Sequence, residues 1–119
     1  MTRLRQDTGK KGEQIALSFL LGLGYQLVEK NWRCRSGEID LIMMDGPMMV
    51  FIEVKARRGT WFGLPQEAVG SKKQAKIRRL AQYYLMVAKR NEQDLRFDVV
   101  AVTFPGDREP LIEHLQGAF

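Results

Sequence analysis

Two apolar segments separated by a short turn constrain the fold of this chain more than any other feature. Residues 39–44 and 48–54 flank Asp45-Gly46-Pro47, a sequence typical of a turn between β-strands. This pattern predicts an antiparallel hairpin in which Asp45 lies opposite Met48. Both faces of the predicted hairpin are apolar, so we expect it inside a sheet that is covered by helices on both sides.

The same register brings carboxylates together at the end of the hairpin away from the turn. Counting outward places Asp40 opposite Glu53, and Glu38 opposite Lys55. Directly opposed residues on one face have Cβ atoms about 4.5–5.5 Å apart, so both members of the first pair can reach one cation. Buried charges are costly unless they neutralise one another or hold a metal ion. This end of the hairpin is therefore the candidate functional site.

The alternation of side chains along a strand divides these residues between two faces. Asp40, Glu53 and Lys55 are predicted to share one face of the hairpin, and Ile39 to lie with Leu41 on the other.

Length, charge and cysteine content limit the class of protein. A chain of 119 residues is long enough for one domain with a substantial core. The net charge of +5 favours a polyanionic partner without identifying it. The single cysteine, Cys34, excludes an internal disulfide framework and is typical of a reducing cytosol. The polar first 13 residues and the absence of a long apolar run predict a cytoplasmic protein without a membrane segment.

A helix and a strand are predicted before the hairpin. Residues 1–8 are polar and are expected to form a flexible arm. Thr8 is the predicted N-cap of a helix that ends at Gly22 or Gly24, and a strand follows over residues 25–33.

A second helix and two strands are predicted after the hairpin. Ser71 and Gln74 have the spacing of a capping box, which predicts that a helix starts there and continues to about residue 90. The apolar run 95–104 indicates a buried strand, parallel to its neighbour because a helical crossover reaches it. Residues 111–115 are predicted to form an edge strand.

Two further titratable residues allow more than one interpretation. Glu13 falls on the inward side of the first predicted helix, where it complements the positive end of the helix dipole. It is either a helix-start glutamate or a carboxylate of the site. His114, the only histidine, is predicted to be structural or exposed rather than catalytic.

Basic and aromatic residues suggest contacts with phosphates and bases. Arg57 and Arg58 precede Trp61 in a glycine-rich loop, a combination that can bind nucleic acid or can form a small satellite core. Lys72 and Lys76 lie opposite the apolar stripe of the second helix, together with Arg79, Tyr83 and Arg90. This row is either a solvated face or a phosphate-binding surface. The candidate nucleic-acid-binding residues are Arg57, Arg58, Trp61, Lys72, Lys73 and Lys76.

Four ordered blocks of sequence resemble a known family. The blocks are GEIDLI at 37–42, FIEVKAR at 51–57, FGLPQEAV at 62–69 and RFDVVAV at 96–102. They resemble the YraN family of small bacterial proteins. The order of elements resembles the PD-(D/E)XK nuclease superfamily, within which archaeal Holliday junction resolvases are the most similar group.

The resemblance implies a fold and a metal site. The implied fold is the restriction endonuclease-like three-layer α/β/α sandwich, with a mixed sheet of about five strands. Asp40 and Glu53 would bind Mg²⁺ or Mn²⁺, Lys55 would serve the attacking water or the developing charge, and Glu13 would be a third carboxylate near the metal. Ile39 stands where the superfamily pattern has proline. Accessory polar candidates are Glu38, Gln66 and Glu67.

The implied function is a metal-dependent nuclease that acts on DNA rather than RNA, including branched or flapped DNA, with a homodimer as one arrangement. One alternative is a nucleic-acid-binding module of the same fold without catalysis, and another is a protein–protein assembly factor. A purely structural interpretation also exists. In it, Glu38 and Lys55 form a cross-strand ion pair and Asp40 is a hydrogen-bond acceptor at the end of its strand.

Overall fold

Five strands form one mixed sheet with a helix on each face. The computed structural model describes residues 3–59 and 69–119. The strands lie in chain order across the sheet, and the third and fourth strands are parallel while the other neighbours are antiparallel. This arrangement confirms the predicted three-layer architecture and the parallel crossover. The elements are α1 (Arg3–Gly22), β1 (Gln26–Cys34), β2 (Gly37–Asp45), β3 (Met48–Arg58), α2 (Ser71–Val87), β4 (Leu95–Phe104) and β5 (Leu111–Leu115).

Each helix buries one apolar stripe against the sheet. Ala16 and Leu20 of α1 pack on Leu41 and Val50 in one core cluster. The other face is covered by α2, whose buried side chains recur at helical spacing. They are Ile77, Leu80, Ala81, Tyr84 and Leu85. In residues 3–59 and 69–119, no helix is long and apolar enough to cross a membrane.

The ends of both helices differ from the sequence prediction. Helix α1 begins at Arg3, ahead of the predicted N-cap Thr8, so residues 3–8 are helical rather than a loose arm. Helix α2 has Gly70 as its N-cap, without a side-chain cap. The predicted capping box of Ser71 and Gln74 is therefore wrong, because the Gln74 amide donates to the Val69 carbonyl oxygen at 2.9 Å instead.

The start of β2 is rotated relative to the rest of the strand. Ile39 packs with Ile42 in the cluster under α2, and not with Leu41 as predicted. A Cβ built on Gly37 would lie 3.0 Å from Lys76 Cε and 3.2 Å from Leu80 Cδ1, so this part of β2 passes close beneath α2. The pairing between β2 and β3 ends at Leu41, and the simple alternation of side chains fails where the two strands separate.

A buried polar network that the sequence did not reveal lies at the turn end of the hairpin. Asp98 is fully buried, and it interacts with Arg96 Nε at 2.9 Å and His114 Nε2 at 2.8 Å. Arg96 also donates to Asp45 at 2.8 Å and to the Tyr25 hydroxyl at 2.6 Å. Burial alone would raise the pKa of Asp98, but the hydrogen bonds from His114 and Arg96 lower it. His114 is thus structural, in agreement with the prediction.

Gly12 sets the distance between α1 and β3. A Cβ built on Gly12 would lie 2.5 Å from Ala56 Cβ, whereas Gly9 on the same helix has open space. We expect Gly12→Ala to destabilise the protein by about 1–3 kcal/mol through overpacking. Gly9→Ala should stabilise it by up to about 1 kcal/mol, because alanine favours the helix. Urea unfolding measures both changes, and shifts in the same direction would contradict the close packing.

Candidate functional site

The candidate site lies where β2 separates from β3. Their pairing runs from Asp45–Met48 to Leu41–Ile52, which confirms the predicted register of the hairpin. At the next position the side chain of Asp40 replaces the backbone of β2 as the hydrogen-bond partner of β3. Its Oδ2 accepts a hydrogen bond of 2.8 Å from the backbone N–H of Val54. The carboxylate of Asp40 is therefore fixed against β3 as an acceptor, as in the structural interpretation, but it lies inside β2 and not at the end of the strand.

Burial and like charges perturb the acidity of Asp40. Its pKa is raised from 3.8 to about 7, first by burial and then by the negative charge of Glu53. The Val54 N–H opposes this rise in part, and Glu13 and Glu38 add smaller contributions to it. Near neutral pH this carboxyl group is therefore poised between its two protonation states. A cation bound here would favour the ionised form.

Two lysines approach Glu53, which is 9% exposed. Lys73 Nζ lies 2.7 Å from Glu53 Oε1, and Lys55 Nζ lies 3.9 Å from the same oxygen. Burial lowers the pKa of Lys55, and the neighbouring Lys73 lowers it further. Burial opposes the charge of Lys73 as well, but its hydrogen bond to Glu53 outweighs this and raises its pKa. Lys73 is thus the main counter-charge of Glu53.

The sequence pattern did not predict that Lys73 lies at the carboxylate site. It placed Lys73 among the candidate nucleic-acid-binding lysines. A signal for it exists in the spacing of α2. Lys73 precedes the buried residues Ile77 and Leu80 by four and seven positions, so it continues their stripe towards the sheet. Lys72 and Lys76 are exposed on the same helix.

Asn31 joins the two outer carboxylates. Its Nδ2 donates to Glu13 Oε1 at 2.8 Å and to Glu38 Oε1 at 3.2 Å. Asn31 has φ 52°, a left-handed conformation that asparagine tolerates better than most residues. Arg33 Nε lies 3.3 Å from Glu38 Oε2. Among the described residues Glu38 therefore pairs with Arg33, and the predicted ion pair between Glu38 and Lys55 was wrong.

A groove of about 1030 Å³ opens beside Lys55, between α1 and the ends of β1, β2 and β3. Arg57 and Arg58 lie in its wall, and the Nε of Arg58 donates to Thr8 Oγ1 at 2.6 Å. The charged residues that line it are Lys10, Glu13, Arg33, Glu38, Lys55, Arg57 and Arg58. Because five of these seven side chains are cationic, the groove attracts anions to the carboxylate site.

The number of carboxylates at the site limits the kind of metal ion that could bind there. Within residues 3–59 and 69–119, no group of three or more His, Cys, Asp or Glu side chains is arranged to hold a metal ion. Mg²⁺ commonly binds one or two carboxylates and keeps several waters, so Asp40 and Glu53 suffice for this kind of site. Glu13 accepts a hydrogen bond from Asn31, and its role as a third metal ligand stays a prediction. Trp61, Gln66 and Glu67 lie outside the described residues.

Comparisons with known proteins place the site residues inside a family match. The model of the family described as "Uncharacterised protein family UPF0102" matches residues 12–102. A UPF0102 protein of Nocardia farcinica is 45% identical over 115 residues, covering 97% of this chain and 91% of that protein. A UPF0102 protein of Geotalea daltonii is 46% identical over 111 residues, covering 93% of this chain and 87% of that protein.

The raised pKa of Asp40 predicts a pH-dependent cost to stability. The pKa of Asp40 is about 7 in the folded protein, above its ordinary value of 3.8. The protonated carboxyl group therefore favours the folded state fully below about pH 4, and this contribution is lost as the pH rises to 7. Asp40→Asn removes this titration. In EDTA, we expect the melting temperature of Asp40→Asn to gain a few degrees on the wild type between pH 5 and pH 8.

Thermal unfolding by circular dichroism measures this difference. Glu113→Gln, which removes an exposed carboxyl on β5, is the matched control and should follow the wild type at each pH. A constant offset between Asp40→Asn and the wild type across this range would show that Asp40 does not titrate there.

Proposed function

The chain belongs to the uncharacterised protein family UPF0102, and we propose that it is a metal-dependent nuclease hydrolysing phosphodiester bonds of DNA, including branched or flapped DNA. The observation that supports this proposal is the pair of half-buried Asp40 and buried Glu53 with two lysines beside it. Clusters of ionisable groups with perturbed pKa values are typical of catalytic sites. Such clusters reduce the stability of a fold, so a function is the usual reason for their presence. The resemblance of the sequence to the PD-(D/E)XK superfamily, which includes these same residues and the order of elements, also supports the proposal.

The residues of the site match the needs of phosphodiester hydrolysis. In this reaction a water molecule loses a proton as its oxygen attacks phosphorus, one P–O ester bond breaks, and the leaving oxygen gains a proton. Asp40 and Glu53 would hold Mg²⁺ or Mn²⁺, which would supply charge neutralisation at the phosphate and a more acidic water when bound. Lys55, 3.9 Å from Glu53, would orient the water or stabilise the developing negative charge. Its pKa, lowered mainly by burial, makes the neutral amine more accessible than in an exposed lysine.

The groove supports a polyanionic substrate. Arg57 and Arg58 line it next to Lys55, so phosphates that flank the reacting one would be held close to the carboxylates. The whole chain carries a net charge of +5, which favours association with nucleic acid and makes binding dependent on salt.

The direct test is cleavage of a labelled panel with Mg²⁺, Mn²⁺ or EDTA. The panel contains single strands, duplex, flap, four-way junction and structured RNA. We expect metal-dependent cleavage of DNA that Asp40→Asn and Lys55→Ala each reduce by about 100-fold or more, as for the loss of a key electrostatic group. Asp107→Asn and Lys30→Ala remove the same charges from exposed positions and should retain wild-type rates.

Two other results would replace this proposal. If the panel stays uncut while wild type and Asp40→Asn bind it equally, the protein is a nucleic-acid-binding module. If the wild type also fails to bind at low salt, the nucleic-acid function is wrong and an assembly role becomes the better explanation.

The ion pair of Lys73 predicts competition with the metal ion. A divalent cation at Glu53 must displace the Lys73 ammonium from its contact of 2.7 Å. Lys73→Met should therefore bind Mn²⁺ several-fold more tightly than the wild type, and should be less stable in EDTA because Glu53 loses its counter-charge. Lys72→Met, at the neighbouring exposed position, is the control. Calorimetric titration measures both affinities, and equal values in the two variants would exclude the competition.

A further inference from the structure

A second concave site lies on the α2 side of the sheet. It is a cleft of about 500 Å³ between the β1–β2 turn and the outer surface of α2. The turn contributes Cys34, Arg35 and Ser36, and the helix contributes Lys76, Arg79, Leu80 and Tyr83.

The charge of this cleft is of one sign. Arg35, Lys76 and Arg79 line it, and its lining contains no carboxylate. Among the ion pairs of the described residues, none involves these three side chains, whereas Arg33, Lys73 and Arg96 each have a carboxylate partner. Cations gathered in one concave surface repel one another, so a bound anion would stabilise them.

An aromatic ring stands beside these cations. Tyr83 is 47% exposed, and its ring lies 6.2 Å from that of Trp32. Trp32 is itself held edge-on against the buried Tyr84, with ring centroids 5.3 Å apart. Tyr83 is therefore supported on one side by a packed ring while much of its surface stays open. This is the arrangement of a stacking platform for an unpaired base.

The cleft continues the surface that begins at the carboxylate site. Tyr83 follows Lys73 by ten positions on α2, a distance of about 15 Å along a helix axis. Lys76 lies between them, and its side chain runs over Gly37, where there is no Cβ in the way. A strand with one phosphate near Glu53 can thus extend along α2 and reach the cleft within a few nucleotides.

We propose that the cleft binds an unpaired segment of the nucleic-acid strand, with its phosphates on Arg35, Lys76 and Arg79 and a base stacked on Tyr83. This inference rests on the proposed function, and it names the substrate class as nucleic acid with a single-stranded portion. The reason is that a base within a duplex is already stacked on its neighbours and does not present its face to Tyr83.

Cys34 provides a built-in probe of this cleft. It is the only cysteine of the chain and it lies in the cleft wall. In EDTA, where no cleavage occurs, saturating oligothymidylate or oligouridylate should slow the alkylation of Cys34 by iodoacetamide several-fold. Comparing the two oligonucleotides separates DNA from RNA as the source of the strand.

Two variants and a control locate the binding energy. Arg79→Ala and Tyr83→Leu should each weaken oligonucleotide binding, measured by fluorescence anisotropy, by about tenfold and remove the protection of Cys34. Arg108→Ala removes an exposed cation between β4 and β5, outside the cleft, and should bind and protect like the wild type. The alkylation rate of each variant without oligonucleotide verifies that the cleft is intact.

The inference is overturned if Cys34 reacts at the same rate with and without saturating oligonucleotide, or if Arg79→Ala and Tyr83→Leu bind as the wild type does. Either result is compatible with metal-dependent cleavage by the wild type, in which case the proposed function survives without this cleft. Protection of Cys34 in a protein that cleaves no substrate would instead support the cleft and contradict the nuclease.

Discussion

The separation of β2 from β3 after the Leu41–Ile52 pair is the constraint on which the candidate site depends. Beyond this pair a side chain replaces a backbone partner, because the Asp40 carboxylate accepts the Val54 N–H. The exchange keeps the backbone satisfied but places a carboxylate in a half-buried position near Glu53. The local conflict between burial and charge is what distinguishes this end of the hairpin from an ordinary strand pair.

Two aspartates show how the neighbouring groups decide the effect of burial on a pKa. Asp98 is fully buried and Asp40 is half-buried, and burial alone raises the pKa of each. Asp98 meets Arg96 and His114, so its pKa falls and the network ties β4 to β5 and to the hairpin turn. Asp40 meets one backbone donor and several carboxylates, so its pKa rises. The network around Asp98 therefore stabilises the fold. The ionised form of Asp40 is disfavoured and would be stabilised by an added positive charge.

Two lysines supply positive charge to Glu53, the carboxylate next to Asp40. Lys73 approaches Glu53 from α2, and Lys55 approaches it from β3, the strand that carries Glu53 itself. The groove beside Lys55 and the cleft beside Lys76 continue the positive surface away from the carboxylates along α1 and α2. A polyanionic strand that entered the site would therefore meet cations on both sides of the carboxylates, as the proposed function requires.

The sequence by itself determined the hairpin, its register, the order of the elements and the packed stripe of α2, because these follow from turn chemistry and from periodicities of two and 3.6 residues. Tertiary structure alone decided the partners of each charge. Arg96 reaches Asp45 across 51 positions of sequence, and Asn31 reaches Glu13 across 18. It also turned Ile39 towards α2 and Lys73 towards Glu53. Such contacts depend on how the sheet twists and how α2 lies on it. Neither can be inferred from the spacing of residues along the sequence.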